Sequence, residues 1–148
     1  MREYVVTCCS TADMSRTFME TNEVPFAMFH YQLDGKEYAD DLYSSISPEV
    51  FYKMIGDGAQ PVTSQVNAEA YCALFEPVLK SGKDVLHLTL SSGISGSINS
   101  ANVAKTQMEE KYPDRRVMVV DSLAASSGYG MLVELSLIHI SEPTRPRL

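Results

Sequence analysis

Short apolar runs alternate with segments of helical periodicity along most of this chain. The first run, EYVVTC, spans Glu3–Cys8, and similar runs follow at Val24–Leu33, Asp84–Leu90 and Arg116–Asp121. Their length and their β-branched residues predict a strand at each place. Strands that alternate with helices form a largely parallel sheet with helices on both faces, so the sequence predicts an α/β fold.

Helix-start signals stand between the predicted strands. Ser10–Asp13 offers N-cap residues for a predicted helix over Met14–Glu20. Ser47, followed directly by a proline, predicts the start of the next helix, and Asn67 caps a segment whose apolar residues recur at helical spacing. A further helix is expected over residues 99–112, where small and apolar residues again share one face.

The connections between these elements also carry signals. Asp34-Gly35 is a strong turn pair, so the strand before it should fold back as a hairpin with Lys36–Tyr38. Gln60–Gln65 is polar and is expected to be a loop. The small residues of Ser122–Gly130 should lead into a last helix.

Polar residues gather where predicted strands end. Ser10-Thr11 follows the first strand, the stretch SSGISGS (Ser91–Ser97) follows the strand at residues 84–90, and Asp121-Ser122 follows the last strand. In open parallel sheets, ligands bind beyond the carboxyl ends of the strands. We therefore expect these segments, together with Thr63–Gln65, to form one binding edge.

This binding edge is rich in hydroxyl groups and backbone amides and poor in cations. Hydroxyl groups and the unpaired amides of a helix start donate hydrogen bonds, and they suit an anion of single charge. A polyphosphate would normally require Lys, Arg or a metal ion as well. The spacing alone leaves open whether the anion is a phosphate or a carboxylate.

The sequence lacks the motifs of several common nucleotide-binding and catalytic sites. The chain has no G-x-x-x-x-G-K-[ST] phosphate loop, no complete G-x-G-x-x-G motif and no G-x-S-x-G nucleophile elbow. His30 and His87 lie within predicted strands, where a histidine is usually structural, and no metal-ligand spacing occurs.

Two alternative functions stay open. A phosphoryl- or acyl-transfer enzyme would use Ser92 or Ser95 and would need a base within hydrogen-bond reach. A regulatory domain for a phosphorylated metabolite would need a Lys or Arg aimed into the loop.

Charge and composition limit the classes of molecule that the chain is expected to bind. The 148 residues carry a net charge of −7 without a block of Lys or Arg, which disfavours nucleic acid and anionic lipid surfaces. The three cysteines include the adjacent pair Cys8 and Cys9 but no Cys-x-x-Cys motif, so we expect reduced, partly buried thiols. No apolar run resembles a membrane span or a signal peptide, so a cytoplasmic protein is expected.

The end of the chain differs from the rest. Leu135–Arg145 reads LSLIHISEPTR, which is similar to the translation of a transposase-type sequencing-library adapter. We therefore expect residues 1–134 to be an incomplete native domain and residues 135–148 to be a non-native tail. On this expectation His139, Arg145 and Arg147 carry no functional argument.

Four motifs together resemble one family. They are STAD at Ser10–Asp13, TSQ at Thr63–Gln65, SSGISGS at Ser91–Ser97 and DSLAASSGYG at Asp121–Gly130. In order and spacing they are similar to the N-terminal half of the DegV family of fatty-acid-binding proteins. The resemblance covers about Tyr4–Val133. It implies an α/β domain that forms one side of a long-chain fatty-acid site and holds the carboxylate through hydroxyl groups.

The resemblance also implies which residues bind. No catalytic residue, metal or cofactor is implied, because the fatty acid is the ligand. Thr63 and Ser95 are the best matches for the Thr and Ser that hold the carboxylate. The second choices in the same loops are Ser64, Ser92, Gly93 and Gly96, and the supporting candidates are Ser10, Thr11, Asp121 and Ser122.

In this family the protein is a binding subunit. The resemblance implies that it presents the bound acyl group to a dihydroxyacetone-kinase-like fatty acid kinase, which makes the acyl phosphate used in phospholipid synthesis. Transient contact with a membrane is compatible with this role.

Two features of this sequence depart from the family pattern. Cys8 and Cys9 occupy positions where the family commonly has Thr-Asp. The family's C-terminal domain, the other wall of the acyl tunnel, lacks a counterpart here, so we expect weak or no lipid binding and an exposed apolar face.

Overall fold

The computed structural model describes residues 3–141. Strands and helices alternate along the chain, and a short 3-10 turn follows the first strand. In chain order, the elements are β1 (Tyr4–Cys9), the 3-10 turn (Ser10–Ala12), α1 (Arg16–Thr21), β2 (Phe26–Ala27), β3 (His30–Leu33), β4 (Lys36–Ala39), α2 (Pro48–Gly56), β5 (Val62–Ser64), α3 (Ala68–Lys80), β6 (Asp84–Thr89), α4 (Ser97–Lys111), β7 (Val117–Asp121) and α5 (Ser126–Ser141).

The main sheet contains four parallel strands in the order β2-β1-β6-β7, so that β7 occupies one edge. β1 and β6 pair from Tyr4 opposite Asp84 to Thr7 opposite His87. α3 packs against β6 and α4, α4 also packs against β7, and α5 packs against β1. The predicted α/β architecture is therefore confirmed. Because the strands are parallel, the carboxyl ends of β1, β6 and β7 lie at the same edge of the sheet.

A second, smaller sheet corrects one predicted strand. β3 pairs antiparallel with β4 on one side and with β5 on the other. The hairpin is confirmed, and its turn residues Asp34 and Gly35 have φ of 51° and 76°. The single strand predicted over Val24–Leu33 is wrong. The chain leaves the main sheet after Ala27 and pairs again from His30, now in the other sheet.

The polar loop predicted over Gln60–Gln65 is also wrong at its centre. Val62–Ser64 forms β5, whose register places Thr63 opposite Tyr31. Val62 and Thr63 are β-branched and suit an extended backbone, and β3 offers them an edge to pair with. The strand is exposed along its length, which accounts for its polar composition.

The first helix starts later than predicted. Asp13 has a left-handed backbone with φ of 52°, which interrupts the helical conformation after the 3-10 turn. α1 then begins at Arg16, and its N-cap is Ser15, whose Oγ accepts a hydrogen bond from the Phe18 amide at 3.1 Å. The predicted N-cap segment Ser10–Asp13 therefore has a different structural role.

The other helix starts agree more closely with the sequence. Ser47 Oγ accepts from the Val50 amide at 3.3 Å, and Asn67 Oδ1 accepts from the Ala70 amide at 2.9 Å. Both predicted N-caps are therefore confirmed. α4 begins at Ser97, two positions before the predicted start at residue 99.

The core lies between the main sheet and its helices. Among its largest fully buried side chains are Tyr71, Phe75 and Tyr129. Cys8 and Cys9 are unpaired and 0% exposed. The prediction of partly buried thiols is confirmed for Cys72 and is wrong for Cys8 and Cys9, which are completely buried, and the reduced state of the three stays a prediction.

α5 is continuous from Ser126 to Ser141, so it crosses the expected boundary between residues 134 and 135. That boundary stays a prediction, and Arg145 and Arg147 lie outside the described residues. Within residues 3–141, no helix has the length and apolar character required to cross a membrane.

Candidate functional site

The loops after β6 and β7 are joined at the carboxyl edge of the main sheet. The Ser91 amide donates to the Ala124 carbonyl at 3.0 Å, and the Ser122 amide donates to the Thr89 carbonyl at 3.2 Å. Ser122 also closes its own turn, because its Oγ donates to the Ala124 carbonyl at 3.0 Å. Ser122 therefore shapes the edge, while the SSGISGS loop lies directly beside it.

Asp121 braces the SSGISGS loop. Its Oδ1 accepts from the Ser92 amide at 3.2 Å and from the Leu123 amide at 3.0 Å. Hydrogen bonds from Ser92 and from the Leu123 amide lower the pKa of the Asp121 carboxyl below its ordinary 3.8. The ionised Asp121 therefore holds the loop in place, and its negative charge disfavours direct contact with an anionic ligand.

The SSGISGS loop satisfies most of its own amides. Ser91 Oγ accepts from the Gly93 amide at 3.2 Å, and the Ser91 carbonyl accepts from the Ile94 and Ser95 amides at 3.0 Å each. Ser95 Oγ accepts from the Ser97 amide at 3.2 Å. The predicted cradle of unpaired amides is thus largely closed. The Ser95 hydroxyl still carries a proton to donate, because in this bond its oxygen is the acceptor.

The end of β5 meets the SSGISGS loop. A Cβ placed on Gly96 would lie 3.1 Å from Gln65 Oε1 and 3.3 Å from Gln65 Nε2. Gln65 is two residues after Thr63 in the TSQ motif. The structure therefore brings the TSQ segment to the same edge as the SSGISGS loop, as the sequence predicts. Any residue can adopt the φ of −77° at Gly96. The glycine therefore matters here for the space that its missing side chain leaves to Gln65.

A cavity of about 300 Å³ opens beside β3, β4 and α2. Thr63 and Thr11 are among the residues that line it. Ser64 points differently, since its Oγ donates to the His30 carbonyl at 3.4 Å. The remaining wall is mainly aromatic and aliphatic, and its residues are Phe29, His30, Tyr31, Ala39, Asp40, Asp41, Tyr43, Ile46, Phe51, Tyr52 and Pro61.

The two hydroxyl residues that follow β1 behave differently. Ser10 is fully buried, and its Oγ accepts from the Phe29 amide at 3.1 Å. Thr11 Oγ1 is buried and has no hydrogen-bond partner within residues 3–141. Ser10 therefore ties the 3-10 turn to the chain leaving β2, whereas the Thr11 hydroxyl is unsatisfied.

A buried polar cluster that the sequence did not predict lies beneath the edge. Thr7 Oγ1 and His87 Nδ1 are 2.8 Å apart, and Cys9 Sγ lies 3.3 Å from Tyr71 Oη and 3.8 Å from His87 Nε2. Burial lowers the pKa of His87 from 6.5 to about 3 and raises the pKa of Cys9 to about 11. The ring is therefore neutral and the thiol protonated at neutral pH. The alternation of side chains along a strand could have indicated this cluster, because Thr7 and Cys9 are two residues apart and point to the same face of β1.

The geometry bears on the two alternative functions. His87 is fully buried and bonded to Thr7, so it is no base for Ser92 or Ser95. Asp121 contacts Ser92, but its lowered pKa makes it a weak proton acceptor. Within the described part of the chain, the Lys and Arg side chains make no hydrogen bond or ion pair with the SSGISGS loop.

Together, the fold and the site define an α/β domain with hydroxyl-bearing residues at the ends of parallel strands and an aromatic cavity. The family model of DegV matches residues 5–136, and the chain belongs to the DegV family.

Similar proteins are known in sequence and in structure. The DegV domain-containing protein CPE0026 of Clostridium perfringens is 35% identical over 133 residues, which cover 90% of this chain and 46% of that protein. The structure of a stearic acid-binding protein from Eubacterium ventriosum has a TM-score of 0.84 and 28% identity, over 93% of this chain and 47% of that one. A fatty-acid-binding DegV family protein from Thermus thermophilus has a TM-score of 0.82 and 28% identity, over 97% and 50%. The chain thus spans about half the length of these proteins.

Proposed function

We propose that this chain forms the carboxylate-holding side of a long-chain fatty-acid carrier. One observation carries the proposal. Thr63 lines a mainly aromatic cavity, and two residues later Gln65 touches the loop that contains Ser95. In this proposal the hydroxyls of Thr63 and Ser95 hold the carboxylate, and the acyl chain extends along the aromatic wall.

The described residues that line the cavity include Asp40 and Asp41 and no Lys or Arg, so a carboxylate with one negative charge is favoured over a more highly charged phosphate. Neutral hydroxyl donors suit a single negative charge, and bonds to a charged acceptor are stronger than neutral ones. Asp41, which also lines the cavity, already accepts hydrogen bonds from the Ser44 and Ser45 amides at 2.9 and 3.2 Å. The fatty acid named for the Eubacterium ventriosum protein has this combination of one carboxylate and a long apolar tail.

The proposed role is binding and presentation rather than catalysis. The bound acyl group would be offered to a dihydroxyacetone-kinase-like fatty acid kinase, as the family resemblance implies. Within residues 3–141, neither His87 nor Asp121 is an effective base for Ser92 or Ser95, which favours this role over acyl or phosphoryl transfer. Ser64 then belongs to the framework of β5, Ser92, Gly93 and Gly96 shape the SSGISGS loop, and Thr63 and Ser95 contact the ligand.

The binding step is tested by retention of stearate. Because the chain spans about half the length of its relatives, the longer protein of which it is expected to be a part is loaded, separated from unbound lipid and examined by native mass spectrometry. Thr63→Ala and Ser95→Ala should each weaken retention by roughly tenfold, the value of one hydrogen bond to a charged group. Thr106→Ala is the matched control, because this exposed hydroxyl donates to the Asn102 carbonyl on α4. Unchanged retention in both site variants would refute the site, and a bound phosphorylated metabolite without lipid would refute the carrier.

Presentation to a kinase is tested separately. The loaded chain is mixed with a dihydroxyacetone-kinase-like fatty acid kinase and ATP, and acyl phosphate is trapped with hydroxylamine. Product should form only when the chain is loaded. Product formed by the chain without the kinase would show that it is itself an enzyme.

A further inference from the structure

The cavity beside β3, β4 and α2 has an excess of negative charge in its wall. Asp40 and Asp41 line it, and none of its described lining residues is a Lys or an Arg. A cleft lined by charge of one sign attracts ligand groups of the opposite sign, so this cavity should favour a neutral or cationic group over an anion. In the proposed fatty-acid complex it would receive the acyl chain and not the carboxylate.

Asp40 is the carboxylate of this wall whose charge has no partner. The Asp41 carboxylate accepts hydrogen bonds from two backbone amides, and the Arg16 guanidinium donates to the Asp41 carbonyl at 3.0 Å. The Asp40 amide donates to the Phe29 carbonyl at 2.7 Å, which fixes the backbone there. Within residues 3–141, the Asp40 carboxylate makes no hydrogen bond or ion pair. Its charge is therefore available to a cation that enters the cavity.

Aromatic rings form much of the remaining wall. The centre of the Phe51 ring lies 5.4 Å from that of Tyr31 and 5.5 Å from that of Tyr52, at interplanar angles of 81° and 75°. Rings at such angles face different directions, so they surround a ligand better than a stacked pair does. Burial, and after it the charges of Asp40 and Asp41, raise the pKa of Tyr31 above its ordinary 10. The negative charges therefore act on the aromatic part of the wall as well.

We propose that this cavity binds a small organic cation of the quaternary-ammonium class. The faces of aromatic rings attract such a cation, and the Asp40 carboxylate adds a direct attraction between charges. A quaternary ammonium has no N–H group, so it needs no hydrogen-bond acceptors in addition to the carboxylate and the rings. The cavity volume of about 300 Å³ lies within the range of small-molecule sites. The proposal does not depend on the fatty-acid site, because it follows from the cavity wall alone.

The test compares choline with dimethylbutanol, a neutral analogue in which a carbon atom replaces the charged nitrogen. Binding to this chain is followed through the shifts of its amide signals in nuclear magnetic resonance at about pH 7.5, where imidazole groups such as that of His30 are ordinarily neutral. Choline should bind roughly tenfold more tightly than dimethylbutanol. Asp40→Asn keeps the shape of the side chain and removes its charge. It should lower the choline affinity roughly fivefold and leave the dimethylbutanol affinity unchanged.

Two further variants separate the roles of charge and ring. Asp57→Asn removes the same charge from the surface of α2, where Asp57 pairs with Lys53, and it should leave choline binding unchanged. Tyr52→Leu removes a ring that lines the cavity, and it should lower the choline affinity roughly threefold. Because Tyr52 is 67% exposed, this variant should unfold at nearly the same temperature as the wild type.

The outcomes are distinct from those for the fatty acid. Amide shifts confined to the cavity wall, together with the preference for choline, support the proposal. Equal affinities for choline and dimethylbutanol would show an apolar pocket without preference for a cation and would overturn it. Equal losses in Asp40→Asn and Asp57→Asn would also overturn it, because they would report only the net charge of the protein. Retention of stearate is measured separately, so either proposal can fail while the other stands.

Discussion

The amide of Cys9 donates a hydrogen bond to the phenol oxygen of Tyr129 at 2.9 Å. The same phenol donates to the Leu88 carbonyl, so one α5 side chain joins the ends of two neighbouring parallel strands. Cys9 is followed directly by the 3-10 turn that carries Thr11. The Tyr129 hydroxyl therefore sets the geometry of the edge from beneath.

Removal of this hydroxyl should destabilise the fold. Tyr129→Phe leaves a buried amide and a buried carbonyl each without the phenol, which should lower the free energy of unfolding by about 1–3 kcal/mol. Urea unfolding followed by circular dichroism measures the change. Tyr52→Phe is the control, because Tyr52 is 67% exposed. It should change stability by less than about 0.5 kcal/mol. Equal effects of the two variants would contradict the bridging role of Tyr129.

Two glycines of α5 should respond oppositely to alanine. A Cβ on Gly130 would lie 2.5 Å from Met14 Sδ and 2.7 Å from the Ala12 carbonyl oxygen. The backbone contact prevents simple relief, so Gly130→Ala should destabilise by about 1–3 kcal/mol. A Cβ on Gly128 meets only Ala124 Cβ at 3.5 Å. Gly128→Ala should therefore stabilise by up to about 1 kcal/mol through helix propensity. Thermal unfolding of both variants checks the sign, and a stable Gly130→Ala would mean that α5 lies farther from the turn.

Stability should fall as the pH is lowered from 7.5 to 5. Burial lowers the pKa of His87 from 6.5 to about 3. The unfolded chain binds this proton near pH 6.5 and the folded chain only near pH 3, so protonation in this window favours unfolding. The contribution of His87 is complete above pH 6.5 and is lost as the pH falls. Urea midpoints across the window measure the slope, and His87→Asn should flatten it. An unchanged slope in the variant would show that another group titrates.

Asp121 should control the order of the SSGISGS loop. Asp121→Ala removes the acceptor for the Ser92 and Leu123 amides, so both amides should exchange hydrogen faster in deuterated buffer. Asp57→Ala is the control, because Asp57 pairs with Lys53 on the surface of α2. This control should leave the two amides unaffected. Protection that survives in Asp121→Ala would mean that the loop holds its shape by its internal bonds alone.

Local signals predicted much of the fold. Asn67 and Ser47 are N-caps because their side chains accept hydrogen bonds from amides three residues ahead. Such interactions can be predicted from sequence because both partners lie within a few residues of each other. The parallel sheet follows from alternation, and the common edge of the polar loops follows from the parallel sheet. The approach of Gln65 to Gly96 agrees with that expectation.

Features that depend on long-range pairing could not be predicted in this way. The run over residues 24–33 is mostly apolar, and it carries no turn signal at the change of sheet between Ala27 and His30. β5 exists because β3 offers it an edge, and no property of Val62–Ser64 alone requires that partner. The cavity wall combines β3, β4 and α2, so Thr11 and Thr63 meet there through tertiary structure.

The edge strand β7 has a consequence for handling the protein. Within the described residues it pairs only with β6, and Met118 and Val120 on it are 58% and 38% exposed. Unpaired backbone groups beside exposed apolar side chains form a template to which a strand of another molecule can add. We therefore expect association of copies through this edge to become a concern for binding measurements as the concentration rises.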